Sequence, residues 1–212
     1  MYKHKNLLII ILSSIVIGYT VGITTELLIY KIPVLNSSLF FSTYIPSTMA
    51  MVAVLVYLFH KVGTECLNFK LTSRSIIVIS GGILVSWLFL RVINKHFSIN
   101  PIYEDISKMS LPYFMVGVVM IGLIGPALEE IILRGYVFQS VQDKYGTSLA
   151  WIISVLISMI VHNIGVNNIS IIIIIYSLGG IILITAVYQI GKIPSSIIVH
   201  GFMNIYMFVL SR

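Results

Sequence analysis

The chain has 212 residues, of which 58% are apolar and 9% charged, and its mean hydropathy is +1.04. Soluble domains average about 45–50% apolar and about 25% charged residues, so this composition excludes most soluble folds, disordered chains and collagen-like chains. The formal charge of +6 does not mark a nucleic-acid partner. The basic residues stand singly between apolar runs, where they orient a chain in a bilayer.

A spanning helix needs about 20 mostly apolar residues, and the chain is read against that ruler. The first run, residues 7–30, follows Lys3, His4 and Lys5. It is longer than the ~7–15-residue core of a signal peptide and has no clear small-residue cleavage site. It reads as a retained first span, with Glu26 near its far end. The second run covers 39–60. The third covers 76–93 and closes with Arg91, which can snorkel to the interface. Polar loops lie at 61–74 and 94–110. The single cysteine, Cys66, excludes an intrachain disulfide and a cysteine-based metal cluster.

Residues 111–144 are too long for one simple span, and Gly122 and Gly125-Pro126 predict a kink or break within them. Runs at 147–164, 169–190 and 194–210 complete the chain. A polar turn at 143–148 is expected to join two antiparallel helices. Gly191-Lys192 reads as a short turn, with Pro194 in the first turn of the next helix. The fold class is all-α, a polytopic transmembrane helix bundle of about seven to eight spans. Residues 1–110 would supply about three N-terminal spanning helices and loops, and residues 111–212 a C-terminal transmembrane core. The Lys and Arg bias of alternate loops places the N-terminus in the cytoplasm of a multi-pass cell-membrane protein.

A charge at the bilayer centre costs at least ~2.5–3.5 kcal/mol on insertion scales. Glu129, Glu130 and Arg134 nonetheless stand inside an apolar run. Glu130 and Arg134 are four apart and can pair on one helix face. Glu129 is turned about 100° from Glu130. One carboxylate can thus be neutralised while the other stays available, an arrangement that suits catalysis or a transporter ion site. His162, and His200 with Asn204 four residues on, are the other intramembrane polar groups. A lone histidine in a span as often simply packs. Glu129 and His162, however, are equally far from the 143–148 turn, roughly 25 Å along straight helices, and would face each other at one depth. His200 lies about 12 Å from the Lys192 turn. That sets it below His162 unless 163–175 is irregular or the 143–148 hairpin projects beyond the membrane.

A buried carboxylate beside a histidine can deprotonate water, because burial raises a carboxylate's pKa toward the neutral range. A histidine and an asparagine on one face can donate hydrogen bonds to an oxyanion. These are the parts needed for peptide-bond hydrolysis. Glu129, His162 and His200 also form a two-His, one-Glu set that could bind zinc, although H-E-x-x-H is absent. There is no G-x-S-x-G and no phosphate-binding glycine loop. The implied partners are the lipid bilayer and a peptide or protein substrate, with no nucleic acid.

Glu129-Glu130-x-x-x-Arg134 resembles the E-E-x-x-x-R motif of the CPBP family, the CAAX proteases and bacteriocin-processing enzymes also called Abi. His200-x-x-x-Asn204 resembles its H-x-x-x-N motif. Ser158-x-x-x-His162 is similar to its F-x-x-x-H motif, with Ser in place of Phe. The resemblance covers roughly residues 111–208. It implies a multi-pass intramembrane endopeptidase in which Glu129 activates water with help from His162. His200 and Asn204 would then form the oxyanion site, and Glu130 and Arg134 would orient the helix and tune Glu129. Eukaryotic-type members look like glutamate proteases without a metal; for this chain zinc stays open. The small size and short loops resemble the bacteriocin self-immunity branch. Two alternatives belong to other classes: a non-catalytic immunity or scaffold protein, and an ion-coupled transporter. Transporters often show matched broken helices in repeated halves, whereas the buried polar residues here cluster in one half.

Overall fold

A computed structural model describes residues 39–61, 64, 69–97, 110–163 and 171–210. The first apolar run, Cys66, most of the 94–110 loop and residues 164–170 lie outside the described residues. Every regular element among the described residues is helical: α1 (Leu39–Lys61), α2 (Ser73–Phe97), α3 (Leu111–Val119), α4 (Gly125–Glu130), α5 (Gln139–Tyr145), α6 (Thr147–Asn163) and α7 (Ile171–Leu210). Two π-helical segments, Met120–Ile124 and Ile131–Phe138, carry the chain from α3 through α4 into α5. At the kink or break expected near Gly125-Pro126 the helix does not break; its turns widen into the π-helical segment Met120–Ile124 just before the proline.

Among the described residues, three helices are long and apolar enough to cross a membrane: Ser73–Lys95, Phe114–Tyr145 and Leu178–Val209. Their surfaces are those of a protein in lipid. α2 exposes Ile76, Ile77, Leu84, Leu88 and Val92 while it buries Ser75 and Ser86. α6 exposes Ile152, Leu156 and Ile160 while it buries Ser154 and Ser158. Water would favour the opposite orientation. Arg91, at the end of the third apolar run, lies over the Trp87 ring at 5.0 Å.

The chain divides into two compact units. One comprises Met1–Leu67 and Ile131–Asn168. In it, α5 and α6 pack together across a single linking residue, Gly146, whose φ of +88° is readily adopted only by glycine. Gln142 Nε2 donates to Thr147 Oγ1 across this turn at 3.0 Å. α6 also packs on the Ile131–Phe138 segment, so it folds back as the expected antiparallel partner. Tyr136, Val137, Phe138 and Val141 are buried there, and the Tyr136 ring lies 6.2 Å from that of Phe59.

The other unit comprises Asn68–Glu130 and Ile169–Arg212. Thr72 and Ser75 cap the start of α2 reciprocally, each side-chain oxygen accepting the other's backbone N–H at 3.1 Å. α2 packs along α7. Leu90, Ile184 and Met203 form the core between them, with Phe89, Leu183, Tyr206 and Met207 around it. α7 is two helices joined at Lys192, whose φ is +68°, in keeping with the turn expected at Gly191-Lys192. Ser75 Oγ and Ser195 Oγ both donate to the Gly191 carbonyl at this break, at 3.3 and 2.8 Å. The last part of α7 then runs against the Met120–Ile124 segment and α4.

Candidate active site

The second unit brings one cluster of polar side chains together. Glu129 and Glu130 end α4, and His200 stands on the second half of α7. Glu130 is fully buried and His200 nearly so, at 0% and 6% side-chain exposure, whereas Glu129 keeps 22%. His200 Nδ1 lies 3.0 Å from Glu130 Oε1, a hydrogen bond between residues 70 apart in sequence. The other ring nitrogen, Nε2, lies 3.8 Å from Glu129 Oε2. One imidazole thus bridges two adjacent carboxylates, one sealed in the core and one still reachable.

The helix crossing that permits this is very close. Gly201 abuts the Gly122 carbonyl, so that a Cβ at 201 would overlap that oxygen. A Cβ at Gly122 would overlap Ile205 in the same way. Small residues at such a crossing allow the two backbones to meet, as in other membrane helix pairs. His200 immediately precedes Gly201, and the crossing carries it to the end of α4. Phe114 and Phe208 stack at 5.1 Å on the same helix pair and fix its far end.

Asn204 lies one turn beyond His200 and donates from Nδ2 to the Ile121 carbonyl at 3.3 Å. A carbonyl oxygen only accepts, so the amide nitrogen must face it and the amide's orientation is set. An amide nitrogen carries two hydrogens, and the second remains to point elsewhere. Spacing from His200 marks Asn204 in the sequence, but Ile121, Gly122 and Gly201 carry no polar side chain and do not stand out there. The available signal is a proline five residues beyond Ile121 and a glycine beside His200.

The remaining residues of the pattern fall elsewhere. Arg134 is buried, within the Ile131–Phe138 segment of the first unit. His162 stands near the end of α6, also in the first unit, and its side chain is outside the described residues. Among the described residues, no group of three His, Cys, Asp or Glu is placed to hold a metal ion.

Helices long and apolar enough to span a bilayer and a buried acid–histidine cluster fit one class: a helical membrane protein with an acid–histidine cluster in its core. Residues 111–206 match the family model of "Type II CAAX prenyl endopeptidase Rce1-like" proteins. That stretch holds every motif residue named above, and the match agrees with the resemblance to the CPBP family. No curated protein and no solved structure matches the chain. At the level of the family, the match supports a CAAX-type intramembrane protease.

Proposed function

We propose that the protein is an intramembrane endopeptidase that hydrolyses a peptide bond with water activated by Glu129. The observation that carries this reading is the His200 bridge, 3.0 Å to Glu130 and 3.8 Å to Glu129. Glu130 fixes the imidazole through Nδ1 and leaves Nε2 at the edge of the site. Glu129 is the carboxylate that water can reach. It takes a proton from water as the oxygen attacks the scissile carbonyl carbon, with His162 assisting from α6. The resulting oxyanion takes hydrogen bonds from the second N–H of Asn204 and, when Nε2 also carries a proton, from His200, each worth most in a water-poor site. When the intermediate collapses, the C–N bond breaks and the proton passes to the leaving amine. Arg134 orients the Glu129-Glu130 helix.

The same reading gives seven to eight spans by the bilayer ruler of about 20 residues each, with a cytoplasmic N-terminus. The N-terminal helices of residues 1–110 would serve a core at 111–212. The substrate is a membrane-associated peptide or protein. The family description reads CAAX prenyl endopeptidase, which makes a prenylated peptide the first candidate, and bacteriocin processing or self-immunity is the narrower role suggested by the short loops. Liposome-reconstituted protein, offered a farnesylated CAAX peptide and its unprenylated counterpart, tests this. Cleavage of either by wild type, and of neither by Glu129→Gln, supports the reading. Cleavage surviving in Glu129→Gln overturns the assignment of the base.

A further inference from the structure

In the π-helical turn at Met120–Ile124 the Gly125 N–H bonds to the Met120 carbonyl, five residues back. The next bond in that register would run from residue 126 to the Ile121 carbonyl. Residue 126 is proline and has no N–H to give. The Ile121 carbonyl instead accepts from Asn204 Nδ2 at 3.3 Å. In a bilayer a backbone carbonyl released from its ladder needs another donor. Here the donor is the side chain one turn beyond His200. The Gly122–Gly201 approach brings α7 close enough to supply it.

We propose that Pro126 is a positioning residue for the reaction: it withholds a backbone donor from Ile121 so that the Ile121 carbonyl holds the Asn204 amide in one orientation. One N–H of that amide is then anchored on the backbone, and the other is aimed at the reacting carbonyl oxygen. This rests on the endopeptidase reading for its catalytic consequence, but not for its structural part. Pro126→Ala restores a backbone N–H in the same helical conformation. That N–H competes for the Ile121 carbonyl and frees the Asn204 amide to rotate.

Two readouts separate the parts. The side-chain amide protons of Asn204, assigned by their loss in Asn204→Asp, are followed by nuclear magnetic resonance in detergent micelles. Thermal unfolding of each variant shows whether it is folded. In wild type the anchored proton exchanges slowly and its shift is well separated from its partner's. In folded Pro126→Ala the two shifts converge and exchange speeds up. Unchanged Asn204 resonances in folded Pro126→Ala overturn the proposal whether or not any substrate is cleaved. With a cleaved substrate, kcat falls on the order of 100-fold in Pro126→Ala, as for a misplaced catalytic group, and KM changes little. The double variant Pro126→Ala/Asn204→Ala is then no slower than Asn204→Ala alone. Additive losses in the double variant overturn the link between Pro126 and Asn204. If wild type cleaves nothing but the resonances behave as stated, the endopeptidase reading fails and the Pro126–Asn204 relationship stands.

Discussion

His200 and Glu130 are joined by a buried hydrogen bond of 3.0 Å, Nδ1 to Oε1, although 70 residues separate them in the chain. The contact pins the second half of α7 to the end of α4 and sets the ring plane, so that Nε2 is directed to Glu129. A buried polar group costs most when its partner is removed and least when the partner is replaced by another acceptor.

From this follows a graded effect at position 130. Glu130→Gln keeps an oxygen within reach of Nδ1, whereas Glu130→Ala strands the imidazole in the core. Glu130→Ala is expected to be less stable than Glu130→Gln by about 1–3 kcal/mol. Thermal or denaturant unfolding in one detergent measures the difference. Equal midpoints would show that the 3.0 Å contact contributes nothing to the fold.

The helix crossing makes a second, sharper contrast. A Cβ at Gly201 would overlap the Gly122 carbonyl, while a Cβ at Gly81 would meet nothing within 4 Å. Gly201→Ala must therefore push α7 off the Met120–Ile124 turn and carry His200 and Asn204 with it. Activity should be lost and stability lowered, in the ~1–3 kcal/mol range of overpacked positions. Gly81→Ala should leave activity intact and stabilise α2 by up to about 1 kcal/mol. Comparable damage from both substitutions would contradict the close crossing.

Metal removal bears on the chemistry. With Glu129 as the base that takes the proton, no step is assigned to a metal. Purified protein dialysed against a strong chelator should cleave its substrate at the untreated rate. A loss of activity restored by added zinc would contradict this and return Glu129, His162 and His200 to the role of a ligand set.

The helical segments are legible in the sequence because apolar run length reports directly on a bilayer-spanning helix. The Gly191-Lys192 break and the Gly146 turn follow the expected punctuation, whereas α2 (Ser73–Phe97) runs beyond the 76–93 apolar run at both ends, into the expected loops. The candidate residues are legible because a charge in an apolar run is costly enough to demand a reason. The geometry of the site is less so. On a regular α-helix, Glu130 and Arg134 share a face. The chain is instead π-helical over Ile131–Phe138, and its widened turns shift the register on which that spacing depends. Two features make the site possible and leave no polar signature: the Gly122–Gly201 approach and the carbonyl that Pro126 leaves to Asn204. The partner of Glu130 comes from a helix 70 residues away, a distance that spacing within one helix does not address.

The central claim is that Glu129 activates water for peptide-bond hydrolysis. Its most direct measurement compares peptide termini in membranes from cells making wild-type protein or Glu129→Gln at equal abundance, with the cells grown briefly in water enriched in oxygen-18. Hydrolysis by Glu129-activated water predicts new termini present only with wild type, each new C-terminal carboxylate carrying the heavy oxygen. Matching termini in the two membranes, with the candidate substrate peptides present in both, would contradict it and leave the Glu129, Glu130 and His200 cluster to a binding or scaffolding role.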